Sequence, residues 1–241
     1  PGSGDGGRIV KRDVENFTPT PKPASAAVSD TSAAAPAPVE LPTIVAEEKS
    51  NRLEISQMRK SIAKRLGGSK FTAPHFYLTM EINMDKAMEA RKSMNEISPV
   101  KISFNDIIIK AVATSIRKHP DVNVSWAEDH MVQHEHIHIG VAVAIPDGLI
   151  VPVVRFADNK TMSHISAEIK DLGAKAKNKK LKPEEFTGST FSVSNLGMFG
   201  IEEFTAIINP PESCILAVGG IKETEKVEQG EIKPTNVMKV T

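Results

Sequence analysis

TGSTFSVSNLGMFGIEEFTAIINPPESCILAVGGI, Thr187 to Ile221, is the stretch on which the reading of this chain turns. Its first part alternates as a strand does, with Phe191 and Val193 toward one face and Thr190, Ser192 and Ser194 toward the other. The alternation stops at a glycine-rich turn, Asn195, Gly197 and Gly200, and Pro210 and Pro211 break the following run before a second apolar strand, Cys214 to Val218. A small hydroxyl at the end of a buried strand, beside glycines that let another molecule approach, is a place for chemistry. The same pattern is also that of a Ser/Asn/Gly turn joining two core strands, and pattern alone leaves both open. Cys214 sits in the apolar run CILAV, where a thiol is more often an inert core residue than a nucleophile.

Outward from this stretch, helix and strand periods alternate. From Glu54, Ile55, Met58, Ile62 and Leu66 share one helical face, Lys60, Lys64 and Arg65 lie toward the other, and Gly67 and Gly68 are the expected end. Pro74–Met84 alternates as a strand, Asp85 is the expected cap of a helix reaching about Asn95, and Phe104–Lys118 is a long apolar helix opened by Asn105 and Asp106. Short strands follow near Val122–Trp126 and Met131–Gln133. Ile139–Ile145 and Leu149–Val154, joined at Pro146, Asp147 and Gly148, read as a hairpin. Ser163–Lys177 is an amphipathic helix with Ile165, Ile169 and Leu172 inward, running into a solvated lysine run, Lys175 to Lys182. Pro183 and Glu184 start a turn; after the central stretch, Lys222–Pro234 reads as a polar excursion before a last strand, Asn236–Thr241. The fold class expected is α/β, a mixed sheet with covering helices. No GxGxxG or GxxxxGK[ST] motif is present, which argues against a Rossmann dehydrogenase or a P-loop enzyme.

Histidines at 130, 134, 136 and 138 raise the question of a metal. On a strand, 134, 136 and 138 form a row rather than a tetrahedral cage, and no cysteine or second ligand pair lies nearby, so the expectation is a solvated strand edge and no metal. Lys plus Arg and Asp plus Glu both number 30, divided as 5 and 7 before residue 51 and 25 and 23 after it, so no charge excess calls for nucleic acid or an anionic membrane. A single cysteine excludes an internal disulfide and suits a reducing compartment. No apolar run approaches the ~20 residues of a membrane span, so a soluble chain is expected. Near the start, Gly2–Gly7 reads as a flexible turn and Arg8–Phe17 as a helix, with Ile9, Val10, Val14 and Phe17 at helical spacing. Thr18 to about Ser50, rich in Pro, Ala, Ser and Thr, reads as a disordered tether. The chain begins with Pro1 and stops in what looks like mid-strand, so a fragment at both ends is expected.

SNLGMFG followed by FTAIINPPESCILAVG resembles the catalytic domains of the dihydrolipoamide acetyltransferases, the E2 components of pyruvate dehydrogenase complexes. MRKSIAKRL (Met58–Leu66), AVAIPDGLIVPVV (Ala142–Val154) and FTGSTFSVSNLG (Phe186–Gly197) follow that family's order, and the likeness covers Leu53–Thr241. It implies a chloramphenicol-acetyltransferase-like fold assembled as homotrimers into a hollow core, with active sites between subunits. The implied reaction carries an acetyl group from a lipoyl group, borne on a separate lipoyl domain, to coenzyme A. The implied oxyanion donor is Ser194, with Asn195 and Gly197 shaping the substrate pocket. The basic face of Lys60, Lys64 and Arg65 reads as solvated, with steering of coenzyme A phosphates as the alternative.

GDGGRIVKRDVENF resembles the second half of the family's peripheral-subunit-binding domain, which implies Arg8, Lys11 and Arg12 as contacts to pyruvate dehydrogenase E1 and dihydrolipoamide dehydrogenase E3. The expected domains are therefore 1–17 (part of that domain), 18–50 (linker) and 51–241 (incomplete catalytic domain). Bacterial cytoplasm and mitochondrial matrix both suit such a chain. The family's base is a histidine in a DHRxxDG motif, and none of the seven histidines lies in one. These residues alone are therefore expected to be inactive. A non-catalytic E2-like docking subunit and a succinyl- or branched-chain-acyl E2 are the alternatives.

Overall fold

The computed structural model describes residues 2–16, 46–146 and 148–241. The chain divides into two compact units, Pro1–Asn51 and Arg52–Thr241. In the first, a 3-10 turn (Asp5–Gly7) precedes helix α1 (Lys11–Glu15). The helix is shorter than the span read from apolar spacing: Ile9 and Val14 stay exposed, because so short a piece offers nothing to bury them against. Asp13 organises the segment, accepting hydrogen bonds from the Ser3 hydroxyl, the Ser3 N–H and the Val10 N–H. These bonds, the Ser3 hydroxyl foremost, hold its carboxyl below the usual range. Residues 18–45 of the expected tether lie outside the described residues.

The second unit runs α2 (Gln57–Thr72), β1 (Met80–Asn83), α3 (Asp85–Ile97), α4 (Phe104–Lys118), β2 (Val124–Trp126), β3 (Met131–Gln133), β4 (Ile139–Val141), β5 (Val143–Ile145), β6 (Gly148–Ile150), β7 (Val153–Val154), α5 (Met162–Lys177), β8 (Phe191–Asn195), β9 (Ile215–Glu228) and β10 (Glu231–Val240). Six strands form one sheet in the order β1-β10-β9-β8-β4-β7. β8 is parallel to both its neighbours and the remaining pairs are antiparallel, so the sheet is mixed, as expected. β2–β3 and β5–β6 are separate two-stranded ribbons. Among the described residues no helix is long and apolar enough to cross a membrane.

The core lies between the sheet and the helices α4 and α5. Ile139, Val154, Val193 and Val218 of the sheet are fully buried, as are Ile109 of α4 and Ile165 of α5. α4 matches the expected span, but its cap is Ser103: the Ser103 hydroxyl accepts from the Asp106 N–H at 3.2 Å and the Asp106 carboxylate accepts from the Ser103 N–H at 2.7 Å.

Four expectations are corrected. α2 passes through Gly67 and Gly68 to Thr72, because its last turn is tied to the loop before β9 by Ser69, whose buried hydroxyl donates to the Ile208 carbonyl at 2.6 Å. The strand Pro74–Met84 shrinks to β1, since pairing with β10 begins only at Met80 opposite Val240. Asp85 is the first residue of α3 rather than its cap. Its carboxylate accepts from Thr235 (2.7 Å) and from Asn236 through N–H (2.9 Å) and side chain (3.0 Å), bonds that keep it well below the usual carboxylate range. Lys222–Pro234 is no excursion: β9 and β10 form one long hairpin closed by Gln229 and Gly230, both at positive φ. The expected hairpin at Pro146–Gly148 exists as β5–β6, whereas β4 and β7 pair within the main sheet.

Candidate active site

β8 carries the candidate residues at the middle of the sheet, paired with β4 through Ile139 and Phe191 and with β9 through Ser194 and Ala217. Side chains alternate along a strand. Val193 enters the helix-covered core while Ser192 is buried on the opposite face, so Ser194 shares the face of Ser192 and Asn195 that of Val193. Ala217, beside Ser194, also exchanges two backbone hydrogen bonds with Thr241, at 2.9 and 3.0 Å.

Asn195 and Gly197 line an open cleft of about 850 Å³ with Phe104, Asn105, Met198 and Ile221; Ser194 is not among its walls. Asn195 works as a brace. Its carbonyl oxygen accepts from the Gly197 N–H at 2.9 Å and its amide donates to Asn105 at 3.3 Å, linking the turn to the start of α4. The turn then lies flat on β9, held by Leu196 N–H to the Val218 carbonyl (3.0 Å) and Gly220 N–H to the Ile201 carbonyl (2.8 Å). Only glycine fits where the two backbones touch: a Cβ on Gly219 would stand 1.9 Å from the Glu202 oxygen, and one on Gly197 2.7 Å from the Gly219 oxygen. Gly200 closes the turn in the left-handed region at φ 75°. The sequence offers Asn105 only as a helix opener and assigns nothing to Gly219 and Gly220, although the GG pair in AVGGI is a signal for a close backbone approach.

On the Ser194 face, α2 and the segment before β9 bound a second cleft of about 600 Å³, walled in part by Lys64, Arg65, Ser69, Trp126, Pro210 and Glu212. Glu212, missed in the sequence, is only 4% exposed. Burial pushes its carboxyl up, opposed by hydrogen bonds from Ser189 and Asn209 and by the Arg65 charge, while the neighbouring Ser192 hydroxyl is buried without a hydrogen-bond partner. Cys214 is half-buried, and burial raises its thiol, which depletes the thiolate a nucleophile needs.

The histidine row is not a solvated strand edge. β3 ends at Gln133 and β4 begins at Ile139, so residues 134–138 form a loop, and His138 is buried. The rings of His134, His136 and His138 pack in a tilted row with centres 5.3 and 4.3 Å apart, and Phe156 packs edge-on against His138 at 4.6 Å. His134 Nε2 meets the Ser125 hydroxyl at 2.8 Å, and His138 Nδ1 accepts the Phe156 N–H at 3.1 Å, which holds Phe156 at φ 49°. That bond requires a neutral Nδ1. Burial foremost lowers the affinity of His138 for a proton, opposed by a hydrogen bond with the Ile137 backbone and reinforced by nearby positive charge, and burial lowers His134 likewise. Stability is therefore expected to be full above pH ~6.5, the ordinary histidine value, and to fall as the pH drops through the lower folded values. His138→Ala should cost about 2 kcal/mol at pH 7.5, for the lost packing and the unpaired N–H, and should flatten that acid slope. Urea midpoints between pH 7.5 and 5 measure both; an unchanged slope would contradict the assignment.

In the first unit, Arg8, Lys11 and Arg12 are exposed, and Lys11 approaches Glu15 at 3.8 Å across a solvated face.

The model of the family "2-oxoacid dehydrogenases acyltransferase (catalytic domain)" matches residues 47–241. The chain is 46% identical to the dihydrolipoyllysine-residue acetyltransferase component of the pyruvate dehydrogenase complex of Rhizobium meliloti, covering all of this chain and 57% of that protein. It is 43% identical to the mitochondrial counterpart of Schizosaccharomyces pombe, covering all of this chain and 50% of that one. The chain thus spans about half the length of the curated relatives it matches. Among solved structures, a probable dihydrolipoamide acetyltransferase from Listeria monocytogenes superposes with a TM-score of 0.75 at 31% identity, over 79% of this chain and 83% of that one. The Azotobacter vinelandii dihydrolipoamide acetyltransferase, studied for the catalytic roles of a serine, a histidine and an asparagine, superposes with a TM-score of 0.76 at 28% identity, over 83% and 86%.

Proposed function

Since this chain belongs to the family of 2-oxoacid dehydrogenase acyltransferase catalytic domains, we propose that it transfers an acetyl group from S-acetyldihydrolipoamide to coenzyme A within a pyruvate dehydrogenase complex, and that it helps build the core of that complex. The observation that carries this reading is the identity of 46% to an acetyltransferase component along the whole chain.

The reaction exchanges one thioester for another. The coenzyme A thiol, with a pKa near ~8.5, needs a base at neutral pH, and the oxygen of the tetrahedral intermediate needs a donor. In this reading the Ser194 hydroxyl is that donor, from a strand locked between two parallel neighbours, while Asn195 and Gly197 set the turn that ends the strand and line the cleft on its other face. The base is the histidine of a DHRxxDG motif, to which no histidine of this sequence belongs.

Assembly as a homotrimer and then a larger core accounts for a run of bare apolar side chains: Phe71, Phe76, Leu78 and Met80 are all at least 66% exposed. Supporting this, a solved neighbour of the chain is the cubic core of a pyruvate dehydrogenase multienzyme complex. Residues 1–17 belong to the peripheral-subunit-binding domain, with Arg8, Lys11 and Arg12 toward E1 and E3; 18–50 tether it, and 51–241 belong to the catalytic domain. The lipoyl group arrives on another domain. Bacterial cytoplasm or mitochondrial matrix is the compartment in this reading, which is supported by relatives that include a bacterial and a mitochondrial protein.

A panel of acetyl-, succinyl- and branched-chain acyl-dihydrolipoamides offered to the full-length, assembled protein tests the acyl class. The expected result is a preference of kcat/KM for acetyl of about tenfold or more, the size that a few methylenes or a misplaced charge confers; equal or reversed preference would refute it.

A further inference from the structure

We propose that Glu212 is a positioning residue for this reaction: with Ser189 and Asn209 it clasps the starts of β8 and β9 and fixes the register that sets Ser194 opposite Ala217. The inference rests on the reading of Ser194 as oxyanion donor.

β8 and β9 are parallel, and a long segment, residues 196–214, separates them. No tight turn can therefore set their register, as it would in a hairpin. The apolar pattern does part of the task. A one-residue slip would carry Val193 out of the core and Ser194 into it, which the full burial of Val193 forbids. A two-residue slip is different: it keeps every side chain on its face, replaces Val193 by Phe191, and moves the Ser194 hydroxyl by roughly 7 Å. Apolar alternation does not exclude that slip.

The Glu212 carboxylate does. It lies three residues before β9 and accepts hydrogen bonds from the Ser189 hydroxyl, two residues before β8, and from the Asn209 amide at 2.9 Å. Its own N–H donates to the Asn209 carbonyl at 3.1 Å, and its backbone bridges to Ser125. Both side-chain bonds end on Oε1, while Oε2 is buried without a hydrogen-bond partner, so at 4% exposure the carboxyl depends on Ser189 and Asn209 for its polar contacts and is costly to move away from them. Gly140 on β4 completes the fit from the other side. A Cβ there would meet Val151 at 2.7 Å, the Ser192 hydroxyl at 2.8 Å and the Ser189 Cβ at 3.2 Å, so the glycine leaves the space on β4 that these two serines occupy.

The test is steady-state acetyl transfer by the full-length, assembled protein, with rates expressed per folded trimer. Glu212→Ala and Ser189→Ala are each expected to lower kcat about tenfold with KM for coenzyme A nearly unchanged, because the loss falls on transition-state geometry. Glu212→Gln, which still accepts from Ser189, is expected to keep kcat within about threefold of wild type, and the double variant should be no slower than Glu212→Ala. Should Glu212→Ala fail to assemble, Ser189→Ala, which removes a single hydroxyl, carries the test. A wild type and a slow Ser194→Ala variant beside Glu212→Ala and Ser189→Ala proteins as fast as wild type would overturn this inference alone. A Glu212→Gln protein as slow as Glu212→Ala would also overturn it. A wild type that transfers no acetyl group would overturn the acyltransferase reading and this inference with it.

Discussion

Ser194→Ala is expected to lower the kcat of acetyl transfer by about 10²–10³-fold, the usual worth of one oxyanion donor, while KM for coenzyme A changes little. The ground-state thioester carbonyl gains little from the hydroxyl, and the charged oxygen of the intermediate gains much. The loss therefore falls on kcat and kcat/KM together. The fold should tolerate the change. Ser194 is half-buried, its backbone pairs with Ala217 are untouched, and alanine only removes an oxygen, so urea midpoints should stay within about 0.5 kcal/mol of wild type. A variant as fast as wild type would remove Ser194 from the mechanism.

Gly219→Ala should give the largest loss of stability, about 3 kcal/mol. Its Cβ would fall 1.9 Å from the Glu202 carbonyl oxygen and 3.2 Å from that of Lys239, and both are backbone atoms of packed segments. Either the turn 196–202 lifts from β9 and breaks the Gly220 to Ile201 hydrogen bond, or the β9–β10 hairpin shifts. Gly67→Ala is the control. Nothing lies within 4 Å of a Cβ there, the residue is inside α2, and alanine should stabilise by about 0.5–1 kcal/mol. Urea unfolding with an unchanged slope measures both; equal midpoints for the two variants would contradict the close-approach account.

Where side chains bury on one face only, the sequence was easy to read. α4 came out at both ends because Ile108, Ile109, Ala113 and Ile116 recur at helical spacing. β8 was placed by Val193 and its polar alternates. The β9–β10 hairpin was missed because its outer half is solvated on both faces, so KETEKVE has no apolar alternation to detect. α2 overran Gly67 and Gly68 because Ser69 is anchored to Ile208, 139 residues away, a contact that local propensity does not encode. At the candidate site, Ser194, Asn195 and Gly197 follow from the resemblance, while the opposite faces of Ser194 and Asn195 emerge only in the structure, because the legible alternation stops at Ser194. Glu212 was passed over because its partner Ser189 lies 23 residues upstream and the two meet only when β8 and β9 align. A strand over residues 134–138 would leave His138 at the surface, whereas the chain forms a loop there and buries it.

One measurement bears most directly on the central claim: formation of acetyl-coenzyme A from S-acetyldihydrolipoamide and coenzyme A by an assembled protein that carries these residues together with a DHRxxDG segment. Steady turnover that depends on Ser194 is the predicted result. An assembled trimer with that motif in place and no acetyl-coenzyme A formed would contradict the account and leave a docking scaffold in its place.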